Sequence, residues 1–168
     1  MPESKVQILN HLQIERKIVR ISHEIFERNY NESELVIIGI HEKGALIGQM
    51  IYDRLKSISP LDLHYYTLFI NKDKPLSEKI RIDGDVSTLK NKTVILVDDV
   101  LNSGRTLIYA TQFLLNESPK QLSTVTLVDR VHRKFPIRAD YIGMTLSTNL
   151  KEHVSVLNSK GKFSAYLE

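Results

Sequence analysis

Apolar residues Ile14, Ile18, Ile21 and Ile25 recur every three or four positions, with Glu15, Arg16, Glu24 and Glu27 between them. That period places the isoleucines on one stripe of an amphipathic helix, and it breaks off near Asn29 to Asn31. Residues 35–40 follow another pattern, an apolar run broken only by Gly39 and followed by His41 and Gly44. It is too short for a helix and predicts a strand covered on both faces. Helical spacing returns over 45–55, through Leu46, Ile47, Met50, Ile51 and Leu55, and 61–70 is rich in β-branched and aromatic residues. The buried-strand pattern recurs at 93–97 and 123–128, with a helical pattern at 106–116 between them. Buried strands alternating with helices predict an α/β fold, a mostly parallel sheet flanked by helices with right-handed crossovers. Residues 71–92 carry Pro75, Gly84 and few apolar side chains, and predict an excursion from the core. Residues 141–144, 154–157 and 163–167 predict short additional strands.

Composition narrows the class of protein. The 168 residues suit a single domain spanning 1–168, and 42% hydrophobic residues can fill its core. The absence of cysteine excludes disulfide frameworks, zinc ribbons, iron–sulfur centres and thiol nucleophiles, and agrees with a reducing cytoplasm. No apolar run is long enough to span a membrane, and residues 1–17 have no continuous apolar stretch of the kind a signal peptide needs. The 23 Lys and Arg exceed the 20 Asp and Glu by three charges, a weak indication of nucleic-acid binding.

In open parallel sheets ligands bind beyond the carboxyl ends of the strands, so the residues after Ile40, Val97 and Val128 are where chemistry is expected. After Val97 the chain reads Asp98-Asp99-Val100-Leu101-Asn102-Ser103-Gly104-Arg105-Thr106. Small, hydrogen-bonding residues just before a helix N-terminus make a phosphate cradle: free amides and the helix dipole attract the anion, and glycine allows close approach. Two carboxylates beside such a cradle suit a diol or a magnesium ion, and a ribose phosphate supplies the diol. In the blander alternative the aspartates turn the chain and Ser103 caps the helix. Gly39 and Gly44 have the spacing of a nucleotide-triphosphatase loop, but Ala45 and Leu46 stand where its lysine and hydroxyl belong.

The string from Val94 to Thr106 resembles the phosphoribosyl pyrophosphate signature of type I phosphoribosyltransferases. Over most of the chain the sequence is similar to the bifunctional pyrimidine operon regulator/uracil phosphoribosyltransferase family, in residues 20–29, 98–106 and 127–143. The resemblance implies a type I phosphoribosyltransferase fold with a small C-terminal hood drawn from about 129–168. It implies transfer of the phosphoribosyl group to uracil, giving UMP and pyrophosphate, with Mg²⁺ as cofactor. By the same resemblance Asp98 and Asp99 hold the ribose hydroxyls, and the metal through them or through water, while Leu101, Asn102, Ser103, Gly104, Arg105 and Thr106 hold the 5′-phosphate. Glu42, Lys43 and Gly44 form the pyrophosphate loop, and Lys43, Asp98 and Asp99 are the catalytic set. Asp129, Arg130, Val131 and Arg138 are the implied base contacts, and about 71–81 is the loop that closes over the site. A homodimer is implied, as is a second partner, a pyrimidine leader RNA, for which Arg20, His23, His132, Arg133 and Arg138 are the available residues.

Two positions depart from the family pattern. Where the regulators begin the loop with Tyr-Arg-Asp-Asp, this chain has Phe69-Ile70-Asn71-Lys72, so an isoleucine replaces the loop arginine and Lys72, Lys74 or Arg81 is left to substitute. Lys43 stands where the regulators carry arginine, which keeps the charge without the bidentate fork. These departures favour, as the alternative to an enzyme, an RNA-binding regulator or a sensor of UMP or the activated sugar. Asn102 replaces the aspartate of hypoxanthine-guanine enzymes and argues against a 6-oxopurine.

Overall fold

In the computed structural model, which describes residues 5–168, the apolar runs at 35–40 and 93–97 become neighbouring central strands. The elements are β1 (Val6–Leu9), α1 (His11–Arg28), β2 (Glu34–Ile40), α2 (Lys43–Ile58), β3 (Asp62–Phe69), β4 (Arg81–Ile82) and a 3-10 turn (Val86–Leu89). They continue as β5 (Thr93–Leu101), α3 (Arg105–Leu115), β6 (Gln121–Asp129), β7 (Tyr141–Thr145), β8 (Val154–Ser159) and β9 (Lys162–Leu167). Six strands form one sheet in the order β4-β3-β2-β5-β6-β7, parallel throughout except for the antiparallel edge strand β4.

Alternation along the strands divides the core between two faces. Ile37, Ile95, Val97, Val125 and Leu127 pack with the α1 stripe and with Ile47, Ile51 and Leu55 of α2. Val36, Ile38, Ile40, Val94 and Leu96 pack with Leu107, Ala110 and Leu114 of α3. Each such fully buried side chain contributes about 1.5–3 kcal/mol. The α1 stripe starts behind a capping box: the Asn10 Oδ1 accepts from the Gln13 amide at 2.9 Å, and the Gln13 Oε1 accepts from the Asn10 amide at 2.8 Å.

The structure corrects three expectations. Strand β1, unmarked in the sequence reading, pairs antiparallel with β9, which pairs with β8, so the small second sheet is β1-β9-β8 and uses both ends of the described chain. Of the three predicted C-terminal strands, β7 joins the main sheet beside β6 rather than the hood, because Tyr141 is buried in the main core and registers with Val125. The excursion is also shorter than 71–92: Ile82 and Leu89 are buried and bring the chain back to the core by residue 81. Among the described residues no helix is long and apolar enough to cross a membrane.

Candidate functional site

From β2 the chain passes through α2 to β3 on one side, and from β5 through α3 to β6 on the other, so β2 and β5 flank a topological switch point. Crevices open at such points. Here α2 starts so close to β5 that a Cβ on Gly44 would lie 2.8 Å from the Val97 carbonyl oxygen and 2.9 Å from the Asp98 Cα, which is why the position is glycine. The cleft beyond holds about 350 Å³ and brings together Lys43, Lys72, Asp98, Asp99, the whole loop from Leu101 to Thr106, and Val154, Ser155 and Val156 of β8.

Strand β5 runs on through Leu101, four residues past the predicted end, so Asp98 and Asp99 are strand residues rather than turn residues. Both are nearly buried, and the Asp98 Oδ1 accepts from the Asp99 amide at 2.9 Å. Burial, then the neighbouring Asp99 charge, pushes the Asp98 carboxyl up to about 7, against the pull of Lys72. The Lys72 Nζ lies 3.2 Å from the Asp98 Oδ1 and 3.7 Å from the Asp99 Oδ1. Burial works against this ammonium, but the two carboxylates outweigh it and raise its pKa above the ordinary lysine value.

Helix α3 starts behind its N-cap Gly104, at φ +87°, which has no side chain to cap the first turn, and Arg105 and Thr106 at that end line the cleft. The left-handed φ favours glycine, and a Cβ there would also meet the Ile137 Cγ2 at 2.7 Å. The Ser103 Oγ accepts from the Arg105 amide at 3.3 Å, while the Ser103 carbonyl takes the Lys134 and Phe135 amides and is braced by the segment after β6. On the opposite wall Lys43 reaches the cleft from the first turn of α2, and Glu42 is exposed beside it.

The residues expected to bind a base lie elsewhere. Asp129 is buried at the end of β6 with its carboxylate taken by the Val131 amide at 2.9 Å and by the Arg133 guanidinium. Arg130, 5% exposed, is a structural clamp: it donates to the Thr148 hydroxyl at 3.1 Å, the Asn102 Oδ1 at 2.9 Å, and the carbonyls of Asn149 and Glu152. Val131 is exposed, and Arg138 lies near the amino end of β7, where its carbonyl accepts from the Thr124 hydroxyl, at the far end of the sheet from the cleft. Among the described residues none of these four lines the cleft. Instead β8 covers it, through Val154, Ser155 and Val156, whose alternation was legible as a strand but not as a cleft wall.

The basic residues considered for RNA lie on α1 and on the segment between β6 and β7. Arg20 pairs with Glu24 and donates to the Ile142 and Gly143 carbonyls at 2.9 Å, tying α1 to β7. His132 bonds the Thr148 carbonyl, Arg133 pairs with Asp129, and His23 and Arg138 are exposed on separate elements.

Comparison with known proteins agrees with this geometry. The family model described as "Phosphoribosyl transferase domain" matches residues 4–158. The chain belongs to the phosphoribosyltransferase family. Similar relatives are the "Bifunctional protein PyrR" of Caldicellulosiruptor bescii, 37% identical over 161 residues, covering 90% of this chain and 87% of the relative, and that of Streptococcus agalactiae, 36% identical over 155 residues, covering 89% and 88%. Among solved structures, the hypoxanthine phosphoribosyltransferase of Trypanosoma cruzi superposes with a TM-score of 0.79 at 16% identity, covering 95% of this chain and 94% of that one. A hypoxanthine-guanine phosphoribosyltransferase of Bacillus anthracis gives 0.76 at 20% identity, covering 97% and 98%. The fold is that of the type I enzymes of the family.

Proposed function

We propose that the protein transfers the phosphoribosyl group of phosphoribosyl pyrophosphate to uracil, as a single domain over 1–168 that works in the cytoplasm as a homodimer in pyrimidine salvage. The observation that supports this best is the opening of the Asp98–Asp99 pair and the uncapped N-terminus of α3 into one cleft. A 5′-phosphate at the helix end leaves the ribose diol facing the two carboxylates. Choice of uracil rests on the sequence resemblance to the pyrimidine regulator/uracil phosphoribosyltransferase family and on Asn102, whose side-chain oxygen is committed to Arg130.

The buried carboxylate pair already draws a cation, the Lys72 ammonium, so its chemistry fits Mg²⁺ held through ribose hydroxyls and water. Bound there, magnesium would offset charge on the leaving pyrophosphate. The protein's own residues do the rest by placement. Asp98 and Asp99 orient the ribose, the 101–106 loop fixes its 5′ end, and Lys43 meets the pyrophosphate from the other wall. The C1′–O bond breaks with its electron pair on pyrophosphate, the C1′–N bond to the base forms, and the proton of that nitrogen passes to water.

Pyrophosphate release by the purified protein, with the activated sugar and Mg²⁺, tests the reading when uracil, orotate, adenine, guanine, hypoxanthine and xanthine are offered separately. Uracil-dependent release is expected. Silence with every base, from protein that still binds the sugar phosphate, replaces catalysis with sensing or with regulation of a pyrimidine leader RNA.

A further inference from the structure

We propose that Lys72 is an exchangeable cation of this site, resting on Asp98 and Asp99 in the free protein and moving to the pyrophosphate group when the activated sugar binds. The inference rests on the transferase reading above and adds a residue to it.

Three observations carry it. The carboxylates are almost closed off, with side-chain exposures of 7% for Asp98 and 12% for Asp99, so the charge held against them must come through the cleft. A ribose diol facing this pair would compete with Lys72 for the two carboxylates, which the ammonium holds through their Oδ1 atoms at 3.2 and 3.7 Å. Finally, Lys72 is 41% exposed, on a stretch whose nearest anchors are Ile70 and the buried Pro75. The Asn71 side chain turns the segment locally by accepting from the Asp73 and Lys74 amides, and the tie to the phosphate loop is one long bond, Arg105 to the Asp73 carbonyl at 3.4 Å. Ile70, two residues back, packs on the sheet core and offers no charge.

Displaced by the diol, the ammonium stays in a cleft whose next dense negative charge is the pyrophosphate, facing Lys43 across the opening. A flexible four-carbon stem makes that move without rebuilding the backbone. As the C1′–O bond breaks and its electron pair stays on pyrophosphate, Lys72 remains protonated and donates hydrogen bonds to the leaving oxygens.

Calorimetry with two ligands in the presence of Mg²⁺ separates the two resting places: ribose 5-phosphate has the diol and the phosphate but no pyrophosphate, and phosphoribosyl pyrophosphate has all three. Lys72→Met should bind ribose 5-phosphate as tightly as the unaltered protein or more so, yet lose about tenfold or more toward phosphoribosyl pyrophosphate, the size of a charged hydrogen bond. Lys72→Arg should restore most of the loss. Equal change toward both ligands overturns the inference. On the unaltered protein, acylation of Lys72 followed by mass mapping should rise when ribose 5-phosphate is added and fall again with phosphoribosyl pyrophosphate; reactivity indifferent to both also overturns it. Failure of the unaltered protein to bind either ligand removes the transferase reading together with this one, whereas binding without the split removes this one alone.

Discussion

Asp98 costs the fold stability at the place where the proposed function needs a carboxylate. Its carboxyl is raised from 3.8 to about 7, chiefly by burial and then by Asp99, so the unfolded chain ionises first as pH rises. Between pH 3.8 and about 7 this group therefore lowers folding stability progressively, and above that its contribution is level. Asp98→Asn removes the decline. Melting of the ligand-free variant should match the parent near pH 4 and exceed it at pH 8, by about 2–4 °C per kcal/mol relieved, while affinity for phosphoribosyl pyrophosphate is lost. Gly44→Ala tests the opposite wall. The added methyl must push the Val97 carbonyl or the Asp98 backbone, so a loss of about 1–3 kcal/mol in urea unfolding is expected, together with weaker sugar binding. The need for glycine at 44 was visible in the sequence only as a motif position; the close approach that demands it comes from two elements packed across the switch point.

At the scale of elements, the segment after β6 is a brace. The family resemblance assigned Arg130 to the base. Folding turns Arg130 inward onto Asn102, the Thr148 hydroxyl and the Asn149 and Glu152 carbonyls, where burial lowers its pKa despite the nearby Glu152 charge. Arg130→Met leaves those acceptors unpaired, and denaturant unfolding should show a loss of roughly 2–4 kcal/mol. A base-binding role would instead raise the KM for uracil and leave stability unchanged. The 71–92 stretch divides for a related reason. Its composition is polar throughout, yet Ile82 and Leu89 suffice to fasten the second half, and Leu89→Ala should cost about 2–5 kcal/mol. Residues 71–80 are held more lightly, by the buried Pro75 and the half-buried Ile80, and Lys72 stands exposed ahead of both.

At the scale of the whole molecule, strands from the two ends of the described chain close over the cleft. Strand β1 pairs with β9, the His11 ring accepts the Phe163 amide at 3.0 Å, and β9 in turn supports β8 over the cleft. A chain shortened to begin at Asn10 should melt several degrees lower and lose affinity for the base, while keeping most of its affinity for ribose 5-phosphate, because the phosphate loop belongs to the main sheet. Thermal denaturation and calorimetry with the two ligands check both halves of that expectation.

The sequence by itself determined the order of buried strands and amphipathic helices, hence the parallel sheet, and it singled out Asp98 to Thr106 as a candidate cradle for a sugar phosphate. These are local matters: periodicity reports which face is covered, and a loop of small residues before a helix binds anions through its own backbone. Only the tertiary structure decided which lysine meets the aspartates, that β8 lines the cleft, and that Arg130 is bonded to Asn102 and the segment 148–152. Each of those depends on pairings between distant residues, such as Lys72 with Asp98 or Val6 with Leu167. Long-range register and burial set them, and neither is written in the spacing of nearby residues.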